Sequence, residues 1–496
     1  MKRYLAFGVL GLFAFGSVAA GCGGSGSQGP QGEPGEAGPP GPPGEAGAPA
    51  PGLDGGGVTP SISAVIPDHA FLARNTEVTV SGYGTNWSAA SKPTPDFGAN
   101  IKVTNVIVAS PTSLVVDITT DGKAAQGLRD VKVTDSSGTE TYAKAFNVLS
   151  PQKLSFQGNV AQGGNVIATV QVLDLSTPLD STTDPNTGAF TNIALTAGKG
   201  VTASVISVSD YKAQVEFQID VSATAGMQDF DLVSGPAGVA SADVDFPAPQ
   251  ALNIAAVTPT ALTGTAVNGS AAAAYDTSVY SFTPASAAQT ILDFSISTTS
   301  SATTPILFLL PSDGMWAHLL TGALAQQGTP GAFSYVSTQT TPLYGITWDN
   351  SGGFGPFSLG GVVSTAVAAT AAATADDATT GTAIAATSFP FVLTAGDLSH
   401  SSGVGDWVKV TMPSGKTSLR VQSSGDLQTD TVVAVTTDGS TAAGSTTDNT
   451  ETGSIVDATF TGLTSGATYY VTFTQGQMGA FTGANGTDYT GIIRAQ

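Results

Sequence analysis

Short apolar runs with a period of two residues dominate the chain from about residue 58 to its end. In residues 213–219 (AQVEFQI), for example, Val215, Phe217 and Ile219 alternate with polar side chains. Successive side chains of a β-strand point to opposite faces, so this pattern predicts strands that are buried on one face. Gly, Asn, Asp and Pro separate the runs and are typical of turns. We therefore expect an all-β protein built from tandem β-sandwich domains, with almost no helix.

An internal repeat divides the first half of this β-rich region. Val106-Ile107 precedes Gly127, and Val205-Ile206 precedes Gly226. The glycine follows the valine by 21 residues in both copies, and the copies lie 99 residues apart. Fixed spacing over this length indicates the duplication of one unit, and its size is normal for an immunoglobulin-like sandwich.

The first copy also carries a family resemblance. Residues 60–67 (PSISAVIP) form a Pro-flanked strand, and residues 78–84 (VTVSGYG) form a Val-Thr-Val-x-Gly strand. This order resembles the IPT/TIG family of immunoglobulin-like domains over residues 59–149. The resemblance implies an immunoglobulin-like fold there, and the internal repeat extends this expectation to the second copy.

The second half has a different rhythm. Asp313-Gly314 and Asp438-Gly439 lie 125 residues apart, and each follows an apolar strand and precedes a Tyr-containing one. This order is similar to the bacterial pre-peptidase C-terminal domain, a β-sandwich appended to secreted enzymes. The resemblance implies two further sandwiches of jelly-roll type, with a linker within the Ala- and Thr-rich residues 366–387.

The N-terminus has the features of a secretory signal. Met1-Lys2-Arg3 is basic, an apolar run follows as far as Val18, and residues 19–22 read AAGC. This end resembles the lipobox of bacterial lipoproteins, which implies that Cys22 is lipidated after cleavage before it. Cys22 is the only cysteine in the sequence, so it has no disulfide partner within the chain. We expect a lipid anchor in the outer membrane or at the cell surface.

Residues 26–49 follow as eight unbroken Gly-X-Y triplets. Only Gly fits at the axis of a triple helix, so the segment resembles the collagen-like segments of bacteria and would then form a homotrimer. A Pro-rich linker in polyproline II conformation is the alternative. In either form about 24 residues at roughly 3 Å each give a spacer of about 75 Å.

The expected organisation can be stated as six segments. They are a signal peptide at 1–21, a lipidated N-terminus with the stalk at 22–57, an IPT/TIG-like domain at 58–150, a second immunoglobulin-like domain at 151–250, and two pre-peptidase C-terminal-like sandwiches at 251–366 and 378–496.

Charge excludes one class of partner. The formal net charge is −21, from 37 acidic and 16 basic residues. An acidic chain repels phosphate backbones, so we expect no binding to nucleic acid.

Candidate chemistry is sparse. His69, His318 and His400 lie far apart in the sequence, without metalloprotease spacing, and we find no G-x-S-x-G motif. We therefore expect no catalytic residue and no enzyme activity.

Loops of the final domain contain the acidic residues Asp430, Asp438 and Asp448. Calcium takes six to eight oxygen ligands from such loops, so these three residues are candidate calcium ligands. Asp is also a common former of solvated turns, and this reading stays open. No other cofactor is expected.

Four tryptophans could stack on sugar rings or pack in the cores, and core packing accounts better for isolated ones. They are Trp87, Trp316, Trp348 and Trp407. Because anchor and spacer occur without catalytic motifs, we expect a non-catalytic surface lipoprotein for adhesion or interaction with an extracellular matrix. The alternative is an envelope-anchored accessory module that binds a carbohydrate or docks an enzyme. The ligand at the cell surface would accordingly be a glycan or a protein.

Overall fold

The computed structural model describes residues 58–496 apart from eleven short gaps. These gaps are 186–187, 236–243, 273–275, 287, 350–352, 354, 374–378, 398–404, 426–430, 448–454 and 476–487. The described residues form 35 strands and one short 3₁₀ helix, with no α-helix among them. The prediction of an all-β protein with tandem sandwiches is confirmed. The signal peptide, Cys22 and the Gly-X-Y segment lie outside the described residues.

The first sandwich contains eight strands in two four-stranded sheets, ordered β1-β3-β6-β5 and β2-β8-β7-β4. The strands are β1 (Ser61–Ile66), β2 (His69–Phe71), β3 (Asn75–Tyr83), β4 (Thr94–Asp96), β5 (Ile101–Ser110), β6 (Ser113–Thr120), β7 (Gly127–Asp135) and β8 (Gly138–Leu149).

The second sandwich pairs a four-stranded sheet, β12-β13-β10-β9, with a three-stranded one, β11-β14-β15. Its strands are β9 (Gln152–Gln157), β10 (Asn165–Val172), β11 (Ile193–Thr196), β12 (Val201–Ser209), β13 (Lys212–Ile219), β14 (Gly226–Ser234) and β15 (Val244–Ile254).

The internal repeat maps onto equivalent strands of these two sandwiches. Val106 pairs with Val116 across β5 and β6, as Val205 pairs with Val215 across β12 and β13. The two repeat glycines open β7 and β14 at φ +111° and +104°, values that favour glycine.

The third sandwich has sheets ordered β16-β18-β23-β20-β21 and β17-β24-β19-β22, with β25 also paired to β19. Its elements are β16 (Thr260–Ala261), β17 (Val267–Ala271), β18 (Ser278–Phe282), β19 (Thr290–Ser297), β20 (Pro305–Leu310), the 3₁₀ helix (Trp316–His318), β21 (Thr321–Leu324), β22 (Gly331–Ser337), β23 (Leu343–Asp349), β24 (Gly355–Leu359) and β25 (Val363–Ala366).

The fourth sandwich has a six-stranded sheet, β26-β28-β35-β30-β33-β32, and a four-stranded sheet, β27-β29-β34-β31. Its strands are β26 (Ala369–Ala372), β27 (Ile384–Ala386), β28 (Phe391–Asp397), β29 (Asp406–Thr411), β30 (Ser418–Gly425), β31 (Thr431–Thr436), β32 (Ser445–Thr447), β33 (Ile455–Thr461), β34 (Thr468–Gln475) and β35 (Asp488–Ala495).

The Ala- and Thr-rich segment contains two short strands. Its strand β26 lies parallel to β28, and β27 lies parallel to β29, so both already belong to the fourth sandwich. The chain crosses from the third sandwich to the fourth within residues 367–368, between β25 and β26.

Each sandwich encloses its own hydrophobic core, because inward-facing side chains alternate with outward polar ones along the strands. Each core contains an aromatic pair with ring centroids 5.0–5.2 Å apart. The pairs are Phe97–Phe146, Phe217–Phe230, Phe294–Phe333 and Phe473–Tyr489.

Arg74 joins the first sandwich to the second. Its Nε donates to the Asp174 carboxylate at 2.6 Å, and its Nη1 donates to the main-chain oxygen of Asp245 at 2.6 Å. The guanidinium also lies 5.0 Å from the centre of the Phe246 ring. These contacts tie the joint through both charge and packing.

Trp316 joins the second sandwich to the third. Its main-chain N–H donates to the Asp220 carboxylate at 2.9 Å, and its indole Nε1 donates to the main-chain oxygen of Ile219 at 3.1 Å. Val221 N–H donates to the main-chain oxygen of Gly314 at 2.9 Å. The loop around the 3₁₀ helix is therefore seated against the end of the second sandwich.

The third and fourth sandwiches pack sheet against sheet. Arg494 on β35 donates to the carboxylate of Asp293 on β19 at 2.7 Å. Gln422 on β30 donates to the hydroxyl of Ser334 on β22 at 2.8 Å. Apolar side chains from both sheets complete the contact, namely Ile291, Val392 and Ile492, with Val336 and Val367 beside them. Together the two domains form a four-layer stack.

In the part of the chain that the structure describes, no helix has the length and hydropathy of a membrane span.

Candidate functional site

The structure describes some of the site residues that were predicted from the sequence and not others. Cys22, Asp430 and Asp448 lie outside the described residues. Asp438 is described and stands in the loop that follows β31. His69 and His318 lie near the surface, 3.0 Å from Asp68 and 2.5 Å from Asp313, and His400 is not described.

The Asp438 carboxylate organises its own loop. Oδ1 accepts the main-chain N–H groups of Thr441 at 2.7 Å and Ser440 at 2.9 Å, together with the Ser440 hydroxyl. Oδ2 accepts the Thr441 hydroxyl at 3.0 Å. These donors, led by the Thr441 N–H, hold the pKa of Asp438 well below its usual range. The carboxylate stays ionised and fixes the turn.

This geometry is that of an acidic turn former. Among the described residues, no group of three or more His, Cys, Asp or Glu side chains is arranged to hold a metal ion. Asp430 and Asp448 are outside that set, so calcium binding stays a prediction.

One of the four tryptophans differs in its placement from the others. Trp87 is buried in the first core, Trp316 is buried at a domain joint, and Trp348 is buried in the third sandwich. Trp407 lies partly exposed on β29, on the strand face opposite the buried Val408. It therefore belongs to the outer face of the four-stranded sheet.

The Trp407 ring packs against the loop that follows β31. A Cβ built on Gly439 would come within 2.3 Å of Cη2 of Trp407, so the far edge of the indole reaches the loop after β31. The same Cβ would lie 3.5 Å from Cγ2 of Thr380, which precedes β27 at the opposite edge of the sheet, so the loop after β31 folds back toward β29. Thr472, the cross-strand partner of Trp407, is only 6% exposed although its side chain points outward.

Tyr470 extends this aromatic surface. It is a diagonal neighbour of Trp407 on β34 and is partly exposed, with ring centroids 6.2 Å apart and ring planes at 56°. Lys409 is the cross-strand partner of Tyr470 and is exposed, as is Thr411. We call these four residues, Trp407, Tyr470, Lys409 and Thr411, the Trp407 face.

The Trp407 face combines two kinds of contact. The indole and phenol rings offer flat apolar area, and Lys409 and the hydroxyl groups offer hydrogen bonds. The Asp438 loop borders the face at Gly439. A ligand with an apolar flat side and polar edges fits such a surface.

Sequence reasoning did not single out this site. The alternation of residues 407–411 (WVKVT) did contain a signal, because it places Trp407 on the same strand face as Lys409 and Thr411. Aromatic residues on an otherwise polar strand face are candidates for binding. The sequence does not show which strand pairs with β29, and this pairing with β34 brings Tyr470 beside Trp407.

Comparison with known families gives one partial match. Residues 59–147 match the model of quinohemoprotein amine dehydrogenase, alpha subunit domain III. The match covers the first sandwich alone and falls within the region of the IPT/TIG resemblance. No curated protein matches the sequence.

Solved structures align with this chain at low identity and low TM-score. The secreted serine protease VesC from Vibrio cholerae aligns at 11% identity and a TM-score of 0.19, over 54% of this chain and 64% of that one, which is less than two thirds of its length. The glucan-utilisation protein SGBP-B of Bacteroides ovatus aligns at 12% identity and a TM-score of 0.13, over 59% and 73% of the two chains. Surface glycan-binding protein PbSGBP-B from Prevotella bryantii aligns at 9% identity and a TM-score of 0.16, over 62% of this chain and 99% of that one.

Proposed function

We propose that this chain is a non-catalytic, lipid-anchored protein of the cell surface that binds a carbohydrate on the Trp407 face. The single observation that carries the proposal is the Trp407 ring, which is partly exposed on the outer face of the sheet beside Tyr470. The C–H groups on one face of a sugar ring pack well on an indole, and its hydroxyls need polar partners at the ring's edge. The face supplies both.

The rest of the chain suits display of such a face. Lipidation at Cys22 would hold the protein at the membrane, and the Gly-X-Y segment would act as a spacer. The contacts of Arg74, Trp316 and Arg494 at the three joints would keep the sandwiches in fixed order. The fourth sandwich would then stand away from the membrane.

Glycan-array binding of the full-length protein tests this proposal. We expect selective binding to at least one glycan, and we expect Trp407→Ala to abolish it. Val432→Ala is the matched control, because Val432 is 40% exposed on β31 of the same sheet, and it should bind as the unchanged protein does. An array without selective binding, or equal binding by Trp407→Ala, would overturn the proposal.

Adhesion through a protein ligand is the second candidate, since an ordered array of sandwiches presents loops at a distance from the membrane. Fold alone does not name such a ligand. Attachment of cells that display the protein distinguishes the two candidates. Attachment that survives Trp407→Ala would favour a protein ligand.

A further inference from the structure

The two rings of the Trp407 face are not coplanar. Trp407 and Tyr470 stand on adjacent strands, β29 and β34, and their ring planes meet at 56°. Adjacent strands of a sheet are rotated by only about 20–25°, so most of the 56° angle comes from the side-chain conformations of the two residues. A ligand that covers both rings must turn between one contact and the next.

From this tilt we infer that the Trp407 face binds a single soluble glycan chain, with consecutive sugar residues on Trp407 and Tyr470, and does not bind the flat surface of a crystalline polysaccharide. The inference rests on the proposed carbohydrate binding and specifies its ligand. Separate glycan chains in solution can twist from one residue to the next, whereas a crystal face holds all its chains in one plane. The tilted rings can both stack on a twisted single chain, but they cannot both lie flat on a crystal face.

The distance between the two rings determines how many sugar residues of the glycan contact the face. The centroids are 6.2 Å apart, close to the length of one sugar residue in an extended glycan. Both rings therefore engage neighbouring sugars, and the shortest ligand that fills the face is a disaccharide. Sheet register fixes this spacing, because Trp407 pairs with Thr472, two residues along β34 from Tyr470.

Charge around the rings indicates a neutral glycan. Lys409 is exposed beside Tyr470, and the ionised Asp438 adjoins Gly439 at the far edge of the Trp407 ring. A strongly anionic chain would be attracted at one end and repelled at the other. The hydroxyl groups of a neutral sugar can accept from the Lys409 ammonium and donate to the Asp438 carboxylate.

The first test uses a length series of a soluble glycan that binds on the array, from one sugar residue to four, titrated calorimetrically into the full-length protein. We expect affinity to rise about fivefold from the monosaccharide to the disaccharide, since each stacked ring adds on the order of 1 kcal/mol, and then to change little. Equal affinity for the monosaccharide and the disaccharide would overturn the inference.

Variants of Tyr470 show which ring binds the second sugar residue. Tyr470→Ala should remove the gain in affinity from one sugar residue to two, whereas Tyr470→Phe should keep the gain because it retains the ring. A Tyr470→Ala variant with the full gain would contradict the pairing of two rings with two sugars.

Sedimentation with microcrystalline cellulose and with crystalline chitin is the complementary test. The protein should stay in the supernatant with both solids. Binding to either solid that Trp407→Ala abolishes would overturn the inference and leave the proposed function standing. Failure of every array glycan would instead refute the proposed function itself.

Discussion

Gly439 illustrates how one residue decides the form of the site. Its φ of +91° lies in the region that favours glycine, and a Cβ there would come within 2.3 Å of the Trp407 ring. Gly439 N–H also donates to the hydroxyl of Thr436 at 3.0 Å, which holds the loop close to the sheet. The absence of a side chain thus gives the indole room to pack against the loop.

We expect Gly439→Ala to displace the Trp407 ring and weaken glycan binding, with a loss of about 1–2 kcal/mol in the free energy of unfolding from backbone strain. Gly462→Ala is the matched control, because Gly462 has φ +80° and no atom within 4 Å of a built Cβ. It should lose similar stability and keep full binding. Urea unfolding and calorimetry measure the two effects, and identical binding by both variants would contradict the assignment.

A second effect at the residue scale is the dependence of protein stability on pH through Asp438. Its pKa is lowered in the folded protein by the Thr441 and Ser440 donors, so its stabilising effect is present above the unfolded pKa of about 3.9 and is lost as pH falls through the lower folded value. Asp438→Ala should therefore be less stable than the unchanged protein at neutral pH. Thermal unfolding from pH 7 to pH 2 should show that the difference in melting temperature between the two proteins disappears only in strongly acidic solution. Equal melting temperatures at pH 5 would argue against this role.

At the scale of the strand, β13 departs from simple alternation. Val215, Phe217 and Ile219 are buried as their period predicts, and Gln214 is exposed. Glu216 lies on the polar face, yet it is only 8% exposed. Burial raises the pKa of Glu216, against the opposing effect of a hydrogen bond from Asn165.

We expect Glu216→Gln to be more stable than the unchanged protein at neutral pH. Because the folded pKa is raised, the favourable contribution of the neutral carboxyl is present below the unfolded pKa of about 4.3 and is lost as pH rises through the folded value. Urea unfolding at pH 4 and pH 8 measures the difference, which should grow with pH. The exposed neighbour Gln214→Glu should show no such growth, and equal gaps for Glu216→Gln at both pH values would refute the explanation.

At the scale of the whole molecule, the third and fourth sandwiches meet sheet against sheet through polar and apolar contacts. Asp293 accepts hydrogen bonds from both Ser334 and Arg494, and the side chains of Asp293 and Arg494 are only 22% and 12% exposed. Removing one partner of a largely buried ion pair leaves the other charge uncompensated. The two domains should therefore respond to a change at this joint together.

Arg494→Met should lower the free energy of unfolding by about 1–3 kcal/mol, less than for a fully buried pair because water reaches both groups. We also expect the third and fourth sandwiches, which should unfold in one transition, to separate into two. Differential scanning calorimetry resolves these transitions. Lys416→Met, which removes an exposed lysine from the same domain, should change neither property. An Arg494→Met profile like that of Lys416→Met would contradict a stabilising joint.

The membrane anchor is also a property of the whole molecule. If Cys22 is lipidated, Cys22→Ala should abolish metabolic labelling with radioactive palmitate and move the protein from the membrane fraction to the soluble fraction, because three acyl chains bury enough CH₂ groups to anchor it stably. Cys22→Ser serves as a second variant with the same expected result. A Cys22→Ala protein that is still labelled would refute the anchor.

The sequence by itself determined the class of fold and the positions of many strands. Alternation in residues 213–219 and 407–411 is a local property, since side chains two residues apart point to the same side of any strand. The repeat that joins Val106 with Val205 was likewise readable, because duplicated units keep their spacing. The same local rule places Trp407 on the strand face of Lys409 and Thr411, although the sequence analysis did not use it for this purpose.

Only the tertiary structure decided which faces meet. The pairing of Trp407 with Thr472, the burial of Glu216 and the contact of Arg494 with Asp293 each depend on strands that lie far apart in sequence. Arg494 and Asp293 are 201 residues apart, and no local propensity links them. Strand order and register bring such residues together, and these follow from how entire apolar faces are covered. The binding face and the joints are therefore products of packing, whereas the strands that carry them are products of local pattern.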